Sequence, residues 1–94
     1  MSLSQIRYFV AVPEEGNVGR AAQRLHVAQP PLSRQIRALE AEIGAQLFER
    51  TPRGMTLLPP GRVFLDHARS ILAAVDRAVV ATRAGTSTLA LPRE

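Results

Sequence analysis

The chain has 94 residues, and its twelve basic side chains, all arginine, face eight acidic ones, for a formal net charge of +4. This length suits one small domain with a modest core, and a basic balance favours an anionic partner such as nucleic acid or a membrane surface. The sequence has no cysteine, which excludes disulfides and thiolate metal sites.

The first predicted helix covers residues 3–12. Its apolar side is formed by Leu3, Ile6, Phe9 and Val10. Ser2 or Ser4 is placed to cap its start, because a serine oxygen can accept a hydrogen bond from the free amides of a first turn. Pro13 lacks an N–H group and clashes with the carbonyl four residues before it, so we expect a kink or an early end near Val12.

Residues 17–43 are predicted to form two short helices joined by a tight corner at residues 26–31. The apolar side of the first helix is formed by Val18, Ala21, Ala22 and Leu25. Asn17 stands where it can cap this helix. The second helix repeats the apolar pattern with Leu32, Ile36, Leu39 and Ile43. Its opposite side carries Pro30, Arg34, Arg37 and Ala41.

The polar side of this second helix is suited to DNA recognition. A helix-turn-helix inserts its second helix into the major groove, with the N-terminal residues of that helix towards the base edges. Gln29 can pair with adenine through two hydrogen bonds, and Arg34 can bind guanine or phosphate. Amphipathic helix pairs are common, however, so an ordinary helical hairpin with a solvated basic side is the alternative at this point.

Residues 47–57 are predicted to form a β-wing, in which two short strands are joined by a Thr-Pro-Arg-Gly turn. Arg50 and Arg53 flank its tip, where arginine side chains can reach phosphate or a narrow minor groove. A solvated surface turn is the alternative. For Arg50, an ion pair with Glu49 or Glu40 is a further possibility.

The last predicted helix opens at residues 59–61 and runs to about Arg83. One apolar stripe consists of Phe64, Ala68, Ile71, Val75, Ala78 and Thr82, and a second consists of Leu65, Leu72 and Val79. One stripe can pack on the winged core, which leaves the other for a partner helix. The alternative is that both stripes serve one intramolecular core. The predicted dimer interface comprises Leu65, Ala68, Ile71, Leu72, Val75 and Val79.

A series of short motifs runs through residues 21–54. They are Ala21-Ala22, Leu25, Val27, Gln29-Pro30-Pro31-Leu32-Ser33-Arg34-Gln35-Ile36, Leu39-Glu40, Gly44, Leu47-Phe48-Glu49-Arg50 and Arg53-Gly54. Together they resemble the DNA-binding domain of the LysR-type transcriptional regulators, over most of the chain. Three positions depart from the pattern of that family. The family usually has a helix-forming residue where this chain has Pro13, a serine where it has Ala28 and a threonine where it has Leu58. The family's serine and threonine would each cap a helix.

The resemblance implies a mainly α fold: a winged helix-turn-helix with a two-stranded β-wing and a long C-terminal linker helix that dimerises. We expect residues 1–58 to form the winged DNA-binding domain, residues 59–84 the linker or dimerisation helix, and residues 85–94 a flexible tail. The family's effector-binding domain has no counterpart in this sequence, so we expect the chain to be a fragment.

The predicted function is sequence-specific DNA binding by a bacterial transcriptional regulator. As a dimer on an interrupted inverted repeat in an operator, it would place the recognition helix, about residues 29–42, in the major groove. The wing at residues 50–54 would contact the backbone or minor groove. The predicted DNA-binding residues are Gln29, Pro30, Pro31, Ser33, Arg34, Arg37, Arg50 and Arg53. The alternatives are a nucleoid-type binder without sequence preference and a helical protein-interaction module.

Catalytic and metal-binding patterns are not apparent in the sequence. His26 and His67 lie far apart without a spaced carboxylate motif, and Ser33 has no histidine nearby as a base. We therefore expect no enzyme activity, no metal and no cofactor, and a small-molecule effector only in a full-length regulator. The sequence shows no secretory signal and no apolar run of about 20 residues, so we expect a cytoplasmic protein without a membrane partner.

Overall fold

Four helices and a two-stranded antiparallel sheet make up residues 1–89, the part of the chain that the computed structural model describes. In chain order they are α1 (Leu3–Glu15), α2 (Val18–Leu25), α3 (Gln29–Ile43), β1 (Phe48–Thr51), β2 (Gly54–Leu57) and α4 (Pro59–Leu89). Phe48 pairs with Leu57 at the base of the wing, and Thr51 pairs with Gly54 near its tip. The predicted winged helix-turn-helix with a long last helix is confirmed.

Helix α1 begins with a capping box and continues through its proline. Ser2 Oγ accepts a hydrogen bond from the Gln5 amide at 3.1 Å, and Gln5 Oε1 accepts one from the Ser2 amide at 3.2 Å. The predicted early end near Val12 is wrong, because the helix runs to Glu15. Pro13 lies in the last turn, where it removes only one intrahelical bond, and the amide of Gly16 still bonds to the Val12 carbonyl at 2.9 Å.

Three phenylalanine rings join α1, the wing and α4 at the centre of the core. The ring of Phe9 lies 5.3 Å from that of Phe48 and 5.1 Å from that of Phe64, both in tilted or edge-on geometry. Aromatic pairs favour such arrangements because the edge of one ring is attracted to the face of the other. The buried apolar residues around these rings are Ile6, Val10, Ala11, Val12, Ala21, Ala22, Leu32, Ile36, Leu39, Leu47, Leu65 and Ala68.

The first turn of α4 lies directly against the wing at Gly61. A Cβ atom at this position would overlap the carbonyl oxygen of Leu47 and would lie 2.7 Å from Leu57 Cδ2. The Leu58 amide also bonds to the Leu47 carbonyl at 2.9 Å. Glycine therefore permits the close approach that joins the start of α4 to the base of the sheet.

Helix α4 has a core-packed first half and an exposed second half. Leu65 and Ala68 are buried and Leu72 packs against the core, whereas from Ala73 to Thr86 all side chains except Val75 are exposed. The helix continues to Leu89, six residues beyond the predicted end at Arg83, because adding a residue to an existing helix costs little. Residues 85–89 of the predicted tail are thus helical, and residues 90–94 lie outside the described residues. Within residues 1–89, α4 included, the structure has no helix that meets the length and hydropathy of a membrane span.

Candidate nucleic-acid interface

Helix α2 is capped by a side chain at its start and ends in a tight backbone turn. Asn17 Oδ1 accepts a hydrogen bond from the Arg20 amide at 2.9 Å, which confirms the predicted cap. At the other end, His26 adopts the left-handed conformation (φ 58°), an uncommon one for a residue other than glycine. The Val27 amide then bonds back to the Ala22 carbonyl at 3.0 Å. The left-handed His26 and this hydrogen bond turn the chain sharply into α3.

The inner side of α3 anchors it to the core, with one change from the prediction. Leu32, Ile36 and Leu39 are completely buried as expected, but Ile43 is 36% exposed because it lies beyond the edge of the core. Glu40 is buried in its place, at 9% exposure. Its position, four residues after Ile36 on the apolar side, is the signal that sequence reasoning missed.

The outer side of α3 faces away from the rest of the chain. Gln29, Pro30, Arg34 and Arg37 are exposed, and Pro31 and Ser33 are half-buried. Ala28 forms no side-chain cap, as its residue type predicts, and the two prolines occupy the first turn. Because prolines have no N–H group, this end of the helix presents apolar ring surface rather than a row of amide donors.

Three arginines of α2 and α4 are held by contacts within the domain. Arg24 contacts Glu14 at 3.0 Å and Glu15 at 3.3 Å, and Arg69 contacts Glu14 at 3.4 Å. The guanidinium of Arg20 donates to the Glu15 carbonyl at 3.3 Å. These contacts join α1 to α2 and α4, and the charges of Arg24 and Arg69 are partly neutralised within the domain.

The guanidinium groups of Arg34, Arg37 and Arg53 are uncommitted. Within residues 1–89, none of the three has a hydrogen-bond or ion-pair partner, and all three side chains are exposed. Arg37 borders an open groove between the C-terminal half of α3 and β1. Arg53 lies at the wing tip, where its amide bonds to Thr51 Oγ1 at 3.2 Å and the Thr51 hydroxyl donates to the Gly54 carbonyl at 3.2 Å.

Arg50 differs from these three because it pairs with Glu40. Arg50 Nη2 lies 2.9 Å from Glu40 Oε1, the ion pair that sequence reasoning kept as an alternative to DNA contact. The other oxygen, Glu40 Oε2, accepts hydrogen bonds from the amides of Leu47 at 2.8 Å and Phe48 at 3.1 Å. Burial acts to raise the pKa of Glu40, but the bonds from Arg50 and the two amides outweigh it and hold the pKa below its ordinary value.

Glu40→Gln is expected to lower the free energy of unfolding at pH 7 by about 2 kcal/mol, the scale of a hydrogen bond to a charged group. Because folding lowers the pKa of Glu40, its contribution is complete above the unfolded pKa and is lost as the pH falls through the folded pKa. Urea unfolding of both proteins from pH 7 down to about pH 3 measures this. Glu49→Gln, at an exposed position, is the matched control. If the wild type and Glu40→Gln differed in free energy of unfolding by the same amount at every pH in this range, the prediction would be contradicted.

The predicted dimer residues on α4 fall into two groups. Leu65 and Ala68 are buried in the core of their own chain, and Leu72 is half-buried there, so they have little surface to give to a second copy. Ile71 and Val79 are exposed and Val75 is half-buried. Val75 and Val79 line an apolar groove with Ala78, Thr82 and Arg83.

Comparison with known proteins relates the whole of this arrangement to one family. The family described as bacterial regulatory helix-turn-helix protein, lysR family, matches residues 3–62. The transcriptional regulator TfdT of Cupriavidus pinatubonensis is 61% identical over 77 residues, which cover 82% of this chain and 34% of TfdT. ClcR of Pseudomonas putida is 51% identical over 86 residues, 92% of this chain and 29% of ClcR. The chain thus spans about a third of the length of these relatives.

A solved structure shows the same fold on DNA. The crystal structure of the CbnR DNA-binding domain in complex with DNA superposes with a TM-score of 0.87 at 48% identity, covering 92% of this chain and 99% of that one. The matched family region contains α1 to α3, the wing and the first turn of α4. On this evidence the chain belongs to the lysR family of bacterial regulatory helix-turn-helix proteins.

Proposed function

We propose that this chain binds operator DNA sequence-specifically, as a homodimer on an interrupted inverted repeat. The observation that carries the proposal is the outer side of α3, where exposed Arg34 and Arg37 have no partner within residues 1–89. Three completely buried side chains fix the opposite side of this helix to the core. A helix held in this way can enter the major groove without rearranging the fold.

The side chains of α3 divide into base readers and phosphate anchors. Gln29, Pro30, Pro31 and Ser33 lie at the N-terminal end, which faces the base edges in a docked helix-turn-helix. Gln29 would read adenine, and the proline rings would pack on thymine methyl groups. Arg34 and Arg37 would bind phosphates, which fixes the register but carries no sequence information.

The wing supplies a second contact through Arg53, whose guanidinium is uncommitted at the exposed tip. It would bind the adjacent backbone or a narrow minor groove, where the negative potential favours arginine. Arg50 was predicted to share this role, but its ion pair with Glu40 supports a structural one.

Dimerisation would use the exposed second half of α4. Ile71, Val75 and Val79 lie on an apolar surface that continues into the groove lined by Ala78 and Thr82. A second copy of α4 would cover this surface, and the two-fold symmetry of such a dimer would match the two halves of an inverted repeat. Residues 1–58 would form the DNA-binding part, with the first half of α4 completing its core, and residues 59–84 would supply the dimerisation helix.

The regulator to which such a domain contributes would act in the cytoplasm on transcription rather than as an enzyme. The relatives are named as transcriptional regulators, and this chain spans about a third of their length. Sensing of a small-molecule effector would belong to the remainder of a full-length protein.

Arg34→Ala and Gln29→Ala should weaken DNA binding in different ways. Loss of Arg34 removes a phosphate contact, so affinity should fall about tenfold on every sequence and the slope of log affinity against log salt should decrease by about one. Loss of Gln29 should reduce the preference for adenine at one position by at least about fivefold, because a two-point base contact is lost. Fluorescence anisotropy on a panel of single-base variants measures both effects.

The control is Arg77→Ala, which removes the same charge from an exposed position on α4. It should change affinity by less than about twofold, because salt screens the attraction between DNA and a charge that does not contact it. Equal losses for Arg34→Ala and Gln29→Ala on every sequence would contradict the division between anchors and readers.

A further inference from the structure

The buried carboxylate of Glu40 ties the recognition helix to the base of the wing. We propose that Glu40 is a positioning residue, which holds the wing at a fixed angle to α3 so that Arg53 meets DNA when α3 lies in the major groove. This inference rests on the proposed function, since it presumes that both α3 and the wing contact DNA.

The contacts of Glu40 span the junction between the two elements. From α3 the carboxylate accepts hydrogen bonds from the amides of Leu47 and Phe48, at 2.8 and 3.1 Å, where the wing begins. It also accepts one from Arg50 Nη2 at 2.9 Å, on β1. All three donors belong to the wing strand or the residue before it, and no buried polar side-chain atom within residues 1–89 is left without a partner. The carboxylate thus fixes both the position and the rotation of β1.

The tip of the wing has no comparable support. Phe48 at the base is completely buried, whereas Thr51, Pro52 and Arg53 are exposed. Four residues of strand span roughly 13 Å, so a rotation of about 10° at the base would move the tip by roughly 2 Å. A shift of that size breaks a hydrogen bond, which tolerates only a few tenths of an ångström. The position of Arg53 on DNA therefore depends on how the base is held.

Two roles can be assigned to Arg50, and they predict opposite effects on DNA binding when Glu40 is removed. If Arg50 contacted DNA directly, loss of Glu40 would release its guanidinium and strengthen binding. If Arg50 serves the junction with Glu40, loss of either residue weakens binding. The half-buried side chain of Arg50 and its 2.9 Å contact with Glu40 favour the second role.

The experiment measures affinity for duplex DNA by anisotropy for Glu40→Gln and Arg50→Met, each made in the wild-type and in an Arg53→Ala background. Glu49→Gln is the matched control, because it removes the same charge from an exposed position on β1, the strand that carries Arg50. Circular dichroism establishes that each variant is folded at the assay temperature. Should Glu40→Gln be unfolded there, Arg50→Met decides, since it leaves both amide bonds to Glu40 in place.

We expect Glu40→Gln and Arg50→Met each to weaken binding about tenfold, the size of one lost charged hydrogen bond. In the Arg53→Ala background, the same changes should cost less than about twofold, because the contact they position is already absent. Glu49→Gln should not weaken binding. The inference would be overturned, with the proposed function intact, if Glu40→Gln bound DNA as tightly as Glu49→Gln does. The same holds if Glu40→Gln and Arg50→Met weakened binding as much in the Arg53→Ala background as in the wild type. If Arg53→Ala itself binds like the wild type, the proposed wing contact fails and the inference fails with it.

Discussion

Ile71→Glu is expected to convert the dimer into monomers and to reduce affinity for an inverted repeat by about 100-fold or more. The side chain of Ile71 is 38% exposed on the apolar surface of α4, where a glutamate would place an unpaired charge in the proposed dimer seam. When two copies are joined, binding of the second half-site becomes intramolecular, which raises overall affinity by about 10² to 10⁴. Affinity for a single half-site should therefore remain unchanged, because one copy already makes all of its contacts.

Light scattering after gel filtration gives the mass, and anisotropy on whole-repeat and half-site DNA gives the two affinities. Val80→Glu is the matched control: Val80 is 66% exposed on the same helix, and at 100° per residue it lies on the side opposite Ile71. It should leave both the mass and the affinities unaltered. A dimer mass for Ile71→Glu, or equal losses for the two variants, would show that the seam lies elsewhere.

Phe9→Ala should lower the free energy of unfolding by about 3–5 kcal/mol, as for other buried phenylalanines. The Phe9 ring is completely buried and contacts both Phe48 and Phe64. Its loss would leave a cavity between α1, the wing and α4 that none of these elements can fill alone. Since small domains have only about 5–15 kcal/mol in total, the variant should be partly unfolded under conditions in which the wild type is folded.

Urea unfolding followed by circular dichroism measures this loss. Arg7→Ala, an exposed substitution on the same helix, should change stability by less than about 0.5 kcal/mol. A loss below about 1 kcal/mol for Phe9→Ala would mean that the three rings do not form the centre of the core.

Most of the fold was predictable because its elements are encoded locally. The period of Leu32, Ile36 and Leu39 identified the buried side of α3. The residue type of Asn17 identified one cap, and a second was narrowed to Ser2 or Ser4, of which Ser2 forms it. These signals act within a few residues of each other, so no knowledge of the tertiary structure is needed to use them.

The errors arose where a local rule was applied at the wrong position in an element, or where tertiary contacts override such a rule. Pro13 suggested an early helix end, yet a proline in the last turn removes only one hydrogen bond. Ile43 fits the apolar period but lies past the edge of the core, whereas Glu40 is buried because amides and a guanidinium from the wing surround it. The sequence signal for the burial of Glu40 was a charged residue on an apolar stripe, with an arginine ten residues later to pair with it.

The sequence predicted which residues form the candidate site better than it predicted the role of each residue. Arg34, Arg37 and Arg53 are exposed and uncommitted within residues 1–89, but Arg50 is paired. On α4, Leu65 and Ala68 belong to the core, because periodicity identifies an apolar side without indicating which partner covers it.

The central proposal is that the outer side of α3 reads DNA sequence. Selection of bound duplexes from a random pool, followed by competition of the enriched duplex against scrambled DNA, tests it most directly. We predict enrichment of an interrupted inverted repeat that binds at least about 10³-fold more tightly than the scrambled duplex. A pool without any enriched repeat, and a competition ratio near one, would contradict the claim and would indicate a binder without sequence preference.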